Sequence, residues 1–266
     1  MSRFRTIEIS NPAFEQERLR FMTVKTNSLK GRGDICIFVP PGTTTLQDMP
    51  VCLLLHGVYG SAWSWAFNAG VHRTALQMIE RGEIAPMLIA MPSDGLWGDG
   101  SAYLPHHSLD FEKWIAADVP ETLMTVFPQV SEQSPFFIAG LSMGGFGALR
   151  IGAKYHQRFR GMAGHSSITE LDQLSMFVEE SADGYAQPDK TDESVLNTIL
   201  KYREKAPPFR FDCGSSDVLI NENRILHQQL EARNIPHTYE EFEGEHEWPY
   251  WEKHVADTLQ FFHTLL

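Results

Sequence analysis

The run Gly140-Leu141-Ser142-Met143-Gly144 joins an apolar strand pattern to a helix pattern rich in small residues. It fits the G-x-S-x-G arrangement of a nucleophile elbow, in which a strand turns directly into a helix. Such a turn strains the backbone of its central residue, and side chains two positions away on either side would collide with the neighbouring strand and helix. The turn lifts the Ser142 hydroxyl clear of the sheet, and the helix N-terminus behind it favours developing negative charge. Ser142 is therefore the predicted nucleophile. The alternative is an ordinary glycine-rich turn, since short matches also occur by chance.

The order of the apolar segments predicts the fold around this turn. From Val51 onward, short apolar runs alternate with stretches of helical periodicity, which is typical of a parallel sheet with right-handed crossovers. Three earlier segments with mixed alternation predict antiparallel N-terminal strands. The sequence therefore predicts an α/β fold with a mostly parallel sheet and helices on both faces. The predicted strands are Arg3–Ile9, Arg20–Thr26, Gly33–Val39, Val51–Leu55, Met87–Met91, 135–140, Gly161–His165, Phe209–Cys213 and His237–Phe242; the predicted helices include Ala69–Arg81, Asp110–Phe127, 142–155, Val218–Arg233 and Trp248–Leu265.

The chain is predicted to form a single domain over residues 1–266. No internal repeat, low-complexity tract or linker rich in Gly, Ser or Pro divides it. Helical periodicity weakens at about residues 168–205, where acidic residues accumulate. We interpret this segment as an insertion with one helix, about Asp192–Tyr202, that could cover a pocket. Pro120 lies inside the helix predicted at Asp110–Phe127 and should kink it or begin a new first turn.

Charge and cysteine content limit the class of partner and the compartment. The formal net charge is −12, which argues against a nucleic-acid-binding surface and against docking on anionic lipid. Cys36, Cys52 and Cys213 are odd in number, and the last two lie in apolar strand-like runs, so reduced thiols are expected. No apolar run is long enough to span a bilayer, and the N-terminus lacks the apolar core of a signal peptide. The sequence therefore predicts a cytoplasmic protein that binds neither nucleic acid nor membrane.

A nucleophilic serine needs a base that removes its proton and a carboxylate that orients the base. These partners should follow strand ends, and with this elbow the chain order is serine, acid, histidine. Asp217 follows the strand predicted at Phe209–Cys213 and is the predicted acid, although an Asp there could equally cap the next helix. Asp212, inside the strand, is the weaker alternative. His246 follows the last predicted strand and precedes the last helix, so it is the predicted base.

An oxyanion hole requires backbone N–H groups aimed at the carbonyl oxygen that becomes negative. Met143, the residue after the nucleophile, is predicted to supply one donor. The loop after an early strand should supply the other, and Val58 is the candidate, with Gly57 permitting a close backbone approach. His56 precedes the serine in the chain, so we expect it to brace this loop by hydrogen bonding rather than to act as the base.

Together these motifs resemble the esterase D/tributyrin esterase group of α/β-hydrolases, which is related to S-formylglutathione hydrolases, feruloyl esterases and the mycolyltransferases of the antigen 85 type. The resemblance implies an α/β-hydrolase fold and a carboxylesterase without cofactor or metal. It implies a catalytic triad of Ser142, Asp217 and His246, with oxyanion donors at Val58 and Met143. The motifs that carry it are His56-Gly57, Gly140-Leu141-Ser142-Met143-Gly144-Gly145, Cys213-Gly214-Ser215-Ser216-Asp217 and His246-Glu247-Trp248-Pro249-Tyr250-Trp251.

Substrate preference is less constrained than the chemistry. Tyr59, Trp63, Trp97 and Trp248 are candidates to line a pocket for a small-molecule ester with a short acyl, acetyl or feruloyl-type group, and packing in the core is the alternative. The first loop lacks the cysteine-rich surroundings of the formylglutathione hydrolases, which puts thioester specificity in doubt. His106 and His107 lack a third residue at ligand-like spacing, so no metal site is predicted. An S-formylglutathione hydrolase-like thioesterase, an acyltransferase, a serine peptidase and an inactive binding protein remain alternatives, and a homo-oligomer remains open.

Overall fold

A nine-stranded sheet forms the centre of the computed structural model, which describes Phe4 and residues 6–266. A separate two-stranded hairpin lies in the loop that follows its fifth strand. The strands are β1 (Thr6–Ile9), β2 (Leu19–Thr26), β3 (Gly31–Phe38), β4 (Val51–Leu55), β5 (Leu88–Pro92), β6 (Pro105–His106), β7 (Leu109–Asp110), β8 (Phe136–Leu141), β9 (Phe159–His165), β10 (Phe209–Gly214) and β11 (Thr238–Phe242).

The spatial order of the large sheet is β1-β2-β3-β5-β4-β8-β9-β10-β11. The first three strands pair antiparallel with one another, and β3 also pairs antiparallel with β5. From β5 to β11, every neighbouring pair is parallel. The C-terminal ends of six strands therefore meet at one edge, where loops can bring distant residues together. The prediction of a mostly parallel sheet with antiparallel N-terminal strands is confirmed.

Helices cover both faces of this sheet. Alternate residues of β4 point to opposite faces, so Leu53 and Leu55 join one apolar cluster while Cys52 and Leu54 join the other. The helices are α1 (Ser64–Asn68), α2 (Val71–Glu80), α3 (Phe111–Lys113), α4 (Val119–Val126), α5 (Met143–Lys154), α6 (Val195–Tyr202), α7 (Ile220–Glu231) and α8 (Trp248–His263). The first cluster includes residues of α4 to α7, and the second includes residues of α1, α2 and α8.

Several boundaries differ from the sequence predictions. The helix predicted at Ala69–Arg81 is shorter and follows a separate α1, with Gly70 between them at φ +56°. The helix predicted at Asp110–Phe127 contains a π-helical stretch, Trp114–Asp118, after which Pro120 lies in the first turn of α4. Proline is tolerated there because a first-turn N–H has no partner within the helix. The strand predicted at Arg3–Ile9 is observed from Thr6, and Arg3 and Arg5 lie outside the described residues.

The segment 168–205 contains more structure than the single helix predicted for it. Three short 3-10 helices (Leu171–Met176, Ala182–Tyr185 and Lys190–Glu193) precede α6. The predicted helix begins at Val195 rather than Asp192 because Ser194 caps it, its hydroxyl accepting the Asn197 N–H at 3.2 Å. Leu174, Tyr185 and Ile199 are buried in the first apolar cluster. This segment is therefore packed against the main body of the fold.

The three cysteines are free and buried. Burial raises the pKa of each thiol, that of Cys36 to about 12. Over Phe4 and residues 6–266, no helix combines the length and apolar character needed to cross a lipid bilayer.

Candidate active site

Ser142 lies between the end of β8 and the first residue of α5, with φ 53° and ψ −119°. This is a strained conformation for a residue other than glycine. A Cβ atom on Gly140 would lie 2.3 Å from the Gly144 carbonyl oxygen, and one on Gly144 would lie 2.5 Å from the carbonyl oxygens of Leu55 and His56. Both glycines therefore allow backbone to approach backbone, as the G-x-S-x-G pattern predicts.

We expect Gly144→Ala to lower the free energy of unfolding by about 3 kcal/mol or more, because its methyl group would meet backbone atoms of β4 that cannot move aside. Urea denaturation followed by circular dichroism measures this loss. Gly184→Ala is the matched control, since its Cβ would meet only the His107 ring, at 3.3 Å. Equal stability of the two variants would contradict this account of the turn.

His246 contacts both Ser142 and Asp217. Its Nε2 lies 3.0 Å from the Ser142 Oγ, and its Nδ1 lies 3.0 Å from each carboxylate oxygen of Asp217. The Asp217 side chain is fully buried, whereas that of His246 retains 18% of its accessible surface. The three residues predicted from strand ends and chain order thus form one hydrogen-bonded chain. Their catalytic roles stay predictions.

Asp217 combines the two roles that the sequence left open. Its Oδ1 accepts the Leu219 N–H at 2.8 Å in the turn before α7, while both oxygens face His246. Burial alone would raise the pKa of this carboxyl. Hydrogen bonds and charge from His246, with further hydrogen bonds from the Leu219 N–H and the Ser166 hydroxyl, bring the pKa below its usual value. The carboxylate is therefore ionised at neutral pH and can hold the imidazole ring of His246 through Nδ1.

Two glycines bring the acid and base loops together. A Cβ on Gly214 would lie 2.5 Å from the Gly244 carbonyl oxygen, so the chains that carry Asp217 and His246 touch through their backbones. The Ser216 N–H donates to the Gly244 carbonyl oxygen at 2.9 Å. Gly244 has φ 151°, and a Cβ there would meet the Tyr250 ring at 2.6 Å. Neither glycine was singled out from the sequence, although both lie within the two motif loops.

Asp212, the weaker candidate acid, belongs to a different buried cluster. Its carboxylate lies 2.9 Å from His165 Nδ1 and 3.0 Å from an Arg210 guanidinium nitrogen, and it accepts the Tyr250 hydroxyl at 2.9 Å. The other ring nitrogen of His165, Nε2, lies 3.0 Å from the Thr258 hydroxyl oxygen. All these side chains are buried. Asp212 therefore balances the charge of Arg210. Because its histidine partner is His165 and not His246, the alternative assignment of Asp212 as the acid is wrong.

The loop after β4 lies directly against the elbow. A Cβ on Gly57 would fall 2.8 Å from a Leu141 methyl group and 3.3 Å from the Ser142 Cβ, so glycine permits the close approach expected there. No hydrogen bond between described residues uses the Val58 N–H. Met143 is the first residue of α5, where an N–H has no partner within the helix. Met143 therefore directly follows Ser142, and Val58 follows the glycine that approaches Ser142. The role of both residues as oxyanion donors stays a prediction.

His56 braces this loop, as expected. The Asp94 N–H donates to His56 Nε2 at 3.0 Å, so the ring proton is on Nδ1, which donates to the Gly57 carbonyl oxygen at 2.6 Å. The Tyr103 hydroxyl donates to the His56 carbonyl oxygen at 3.0 Å. Asp94 in turn accepts the Ser101 N–H at 2.7 Å. These buried contacts tie the first loop to the loop after β5.

The four aromatic residues predicted to line a pocket occupy different surroundings. Tyr59 and Trp63 are exposed. Trp97 is half-buried and packs edge-on against His106 and Tyr185. Trp248 is half-buried and packs edge-on against Trp65 and Trp251. Packing thus accounts for Trp97 and Trp248, and only Tyr59 and Trp63 offer large exposed rings beside the first loop; contact with substrate stays a prediction for all four.

Two aromatic residues that touch the His246 ring were missed. Phe177 stacks on the imidazole at 5.3 Å between centroids with an angle of 23°, and Trp251 meets it edge-on at 5.1 Å. Trp251 lies one helical turn after the loop and could have been placed from the start of α8. Phe177 lies in the segment of weak periodicity, where no pattern indicated its position. In the described part of the chain, no group of three His, Cys, Asp or Glu side chains could hold a metal ion.

Comparison with known proteins agrees with this architecture. An acetyl esterase from Caldicellulosiruptor saccharolyticus is 28% identical over 233 residues, covering 81% of this chain and 84% of that protein. The structure of a ferulic acid esterase has a TM-score of 0.81 at 20% identity, over 98% of this chain and 99% of the other. An S-formylglutathione hydrolase from Agrobacterium tumefaciens has a TM-score of 0.79 at 16% identity over the full length of both chains. At these identities the solved structures establish the fold, which is that of the α/β-hydrolases.

The family model named Esterase, described as "Putative esterase", matches residues 26–262. This range includes the elbow at Ser142 and the loops that carry Asp217 and His246, so the resemblance inferred from the motifs is confirmed. The chain belongs to this esterase family.

Proposed function

We propose that the protein is a serine carboxylesterase that hydrolyses small-molecule esters through an acyl-enzyme on Ser142. The observation that carries the proposal is the chain of contacts from the Ser142 hydroxyl through His246 to the buried Asp217 carboxylate. A serine hydroxyl becomes a competent nucleophile when an oriented base can take its proton. Membership of the esterase family supports the reaction class.

Acylation would begin with attack of the Ser142 Oγ on the ester carbonyl carbon as His246 Nε2 takes the hydroxyl proton. The carbonyl oxygen becomes negative and would be held by the Met143 N–H at the start of α5 and the Val58 N–H in the loop after β4. His246 then gives its proton to the departing alcohol oxygen as the C–O bond breaks. Asp217 keeps the proton of neutral His246 on Nδ1, so that Nε2 is free to accept.

Deacylation would repeat these steps with water. His246 takes a proton from the attacking water, the acyl carbon becomes tetrahedral again, and Ser142 leaves with the proton returned by His246. The products are the carboxylic acid and the free serine. The same groups serve both halves of the cycle, so a missing group should affect acylation and deacylation alike.

Short acyl groups are the proposed substrates. The acetyl esterase relative supports acetate esters, and the likeness to a ferulic acid esterase fold favours aromatic acyl groups as the second class to test. The fold likeness to S-formylglutathione hydrolases makes thioester hydrolysis a second candidate activity. We propose an oxygen ester as the principal substrate, because the first loop carries Val58-Tyr59-Gly60 in place of a cysteine-rich sequence.

A fluorophosphonate probe combined with p-nitrophenyl acetate tests this proposal. We expect stoichiometric labelling of Ser142, identified by peptide mass spectrometry, and a burst of p-nitrophenol whose amplitude matches the enzyme concentration when deacylation is slower than acylation. Denatured enzyme is the control for non-specific labelling. Labelling at another serine, or ester turnover that survives complete labelling of Ser142, would contradict the proposal.

The alternative activities are separated by their products. Matched p-nitroanilide and p-nitrophenyl acetates compare amide with ester cleavage, and a peptidase should retain substantial amide turnover. Added methanol or a sugar competes with water for the acyl-enzyme, and an acyltransferase should yield mainly the new ester. Feruloyl, acetyl and S-formylglutathione substrates then rank the acyl and leaving groups. An esterase should release acid from the oxygen esters in every case.

A further inference from the structure

Phe177 borders the place where a leaving group must lie. Its ring covers one face of the His246 imidazole, with centroids 5.3 Å apart and the planes inclined by 23°. In the proposed reaction His246 Nε2 protonates the departing oxygen, so that oxygen must lie beside this imidazole. Phe177 is half-buried, which leaves part of its surface open to a bound group. The segment 168–205 thus contributes an apolar side chain next to the base.

Hydrogen bonds fix the Phe177 backbone to the loops that follow β4 and β5. The Tyr59 hydroxyl donates to the Phe177 carbonyl oxygen, and the Tyr59 N–H donates to the Asp99 carbonyl oxygen at 2.8 Å. The Glu179 N–H donates to the Asp99 carboxylate at 2.9 Å, and the Asp99 N–H donates to the Glu180 carboxylate at 3.0 Å. These contacts join three separate loops into one wall, which we call the Phe177 wall: Tyr59, Asp99, Phe177, Glu179 and Glu180.

The Phe177 wall carries negative charge, and the part of the chain that the structure describes supplies no Lys or Arg partner for it. Within the described residues, Asp99, Glu179 and Glu180 form no ion pair with Lys or Arg. Desolvation, followed by repulsion from these three carboxylates, raises the pKa of the Tyr59 hydroxyl. The ranges of the sequence that contain the loops at this edge of the sheet have no Lys or Arg. These ranges are 56–72, 91–112, 161–189, 211–223 and 234–252.

We propose that the Phe177 wall is the leaving-group subsite, and that it accepts uncharged or cationic alcohols and disfavours anionic ones. The inference rests on the proposed esterase function and adds the class of leaving group. An apolar ring beside the base favours an aromatic or alkyl alcohol, while the carboxylates repel negative charge at short range. Glutathione has two carboxylates and one ammonium group, so a glutathione thioester should be a poor substrate by charge alone.

Matched aryl acetates test the charge preference. Three phenyl acetates are compared: one with an anionic 4-carboxylate, one with a neutral 4-methoxycarbonyl group and one with a cationic 4-trimethylammonium group. All three give the same acetyl-enzyme, so differences in kcat/KM arise during acylation. We expect Glu179→Gln to raise the anionic-to-neutral ratio of kcat/KM about threefold at low salt and to lower the cationic-to-neutral ratio similarly. Variant-to-wild-type ratios cancel the intrinsic reactivity of each ester. High salt should reduce both effects.

Glu83→Gln is the matched control for charge, because Glu83 is exposed and precedes β5, at the opposite edge of the sheet. It should leave all three ratios unchanged. Equal shifts in Glu83→Gln and Glu179→Gln would assign the effect to net charge and overturn the inference. The inference would also be overturned if Glu179→Gln kept the wild-type kcat/KM ratios between anionic, neutral and cationic leaving groups.

Phe177→Ala tests the apolar part of the wall. We expect kcat/KM for phenyl acetate to fall roughly fivefold more than that for ethyl acetate, with Phe177→Tyr retaining the wild-type ratio. Phe14→Ala is the control, since that ring is 83% exposed and far along the chain from the site loops. An equal decrease for both esters would indicate that Phe177 only supports His246, and would overturn the subsite.

Failure of this inference differs from failure of the esterase proposal. A protein that hydrolyses none of the neutral acetates and takes no fluorophosphonate at Ser142 is not a serine esterase. A protein that hydrolyses neutral, cationic and anionic acetates with the same variant-to-wild-type ratios is an esterase without the proposed leaving-group subsite.

Discussion

Replacing Ser142 by Ala should lower kcat/KM for p-nitrophenyl acetate by a factor on the order of 10⁴ to 10⁶. The substitution removes only the hydroxyl group. His246 Nε2, which lies 3.0 Å from the Ser142 Oγ, then has no hydroxyl to deprotonate. Without Oγ no acyl-enzyme can form, so both the burst and fluorophosphonate labelling should disappear. Stopped-flow absorbance and intact-protein mass spectrometry measure these losses. Turnover within about tenfold of the wild-type rate would contradict the assignment of Ser142 as the nucleophile.

Ser142→Gly is the matched control, because it also lacks the hydroxyl but accepts the backbone conformation of the elbow. At φ 53° and ψ −119° the β-carbon of serine or alanine is strained, and glycine is not. We expect both variants to be inactive, with Ser142→Gly more stable than Ser142→Ala by about 1 kcal/mol in urea denaturation. Inactivity with unchanged or higher stability separates loss of chemistry from loss of fold.

The elements that carry the site could be predicted because their physical requirements are local. A strand buried on both faces must be apolar throughout, as in β4 and β8, and the elbow needs Gly140 and Gly144 wherever it occurs. The chain order then selected Asp217 and His246 without any knowledge of distances. The structure brings these residues together at the C-terminal ends of β8, β10 and β11.

What could not be predicted depends on contacts between distant loops. Phe177 reaches His246 from a segment of short 3-10 helices, whose irregular backbone has no sequence period to detect. The Asp212 cluster was missed because an Asp inside a strand reveals neither its burial nor its partners. The exchange of hydrogen bonds between Asp99 and residues 179 and 180 joins segments eighty residues apart. Such pairings arise only once the sheet has placed the loops side by side.

The Asp217→Asn substitution should reduce kcat by about 10⁴-fold while leaving stability within about 1 kcal/mol of the wild type. The amide oxygen can still accept the Leu219 N–H, so the turn before α7 keeps its cap. Its NH₂ group would donate to His246 Nδ1, which moves the ring proton to Nε2 and removes the acceptor for the Ser142 proton. Steady-state kinetics and thermal denaturation of the same samples measure the two quantities. A large loss of stability with little loss of kcat would mean that Asp217 is chiefly a helix cap.

The opposite result is expected for Asp212→Asn, five residues earlier on β10. The neutral amide removes the buried anion beside the Arg210 guanidinium and leaves Arg210 only its ion pair with the partly exposed Glu240, so the free energy of unfolding should fall by about 3 kcal/mol. Burial alone would raise the pKa of Asp212, but the charges and hydrogen bonds of His165 and Arg210, with the Tyr250 hydroxyl, lower it.

A carboxyl whose pKa is lower in the folded state contributes stability that is present above its unfolded pKa, near 3.9, and is lost as pH falls through the folded pKa. The difference in stability between wild type and Asp212→Asn should therefore persist at neutral pH and shrink only under strongly acidic conditions. Below the unfolding temperature the variant should keep kcat near the wild-type value, because Asp212 does not touch His246. If kcat fell as far as in Asp217→Asn, the division between an orienting acid at the strand end and a charge-balancing acid beneath it would be wrong.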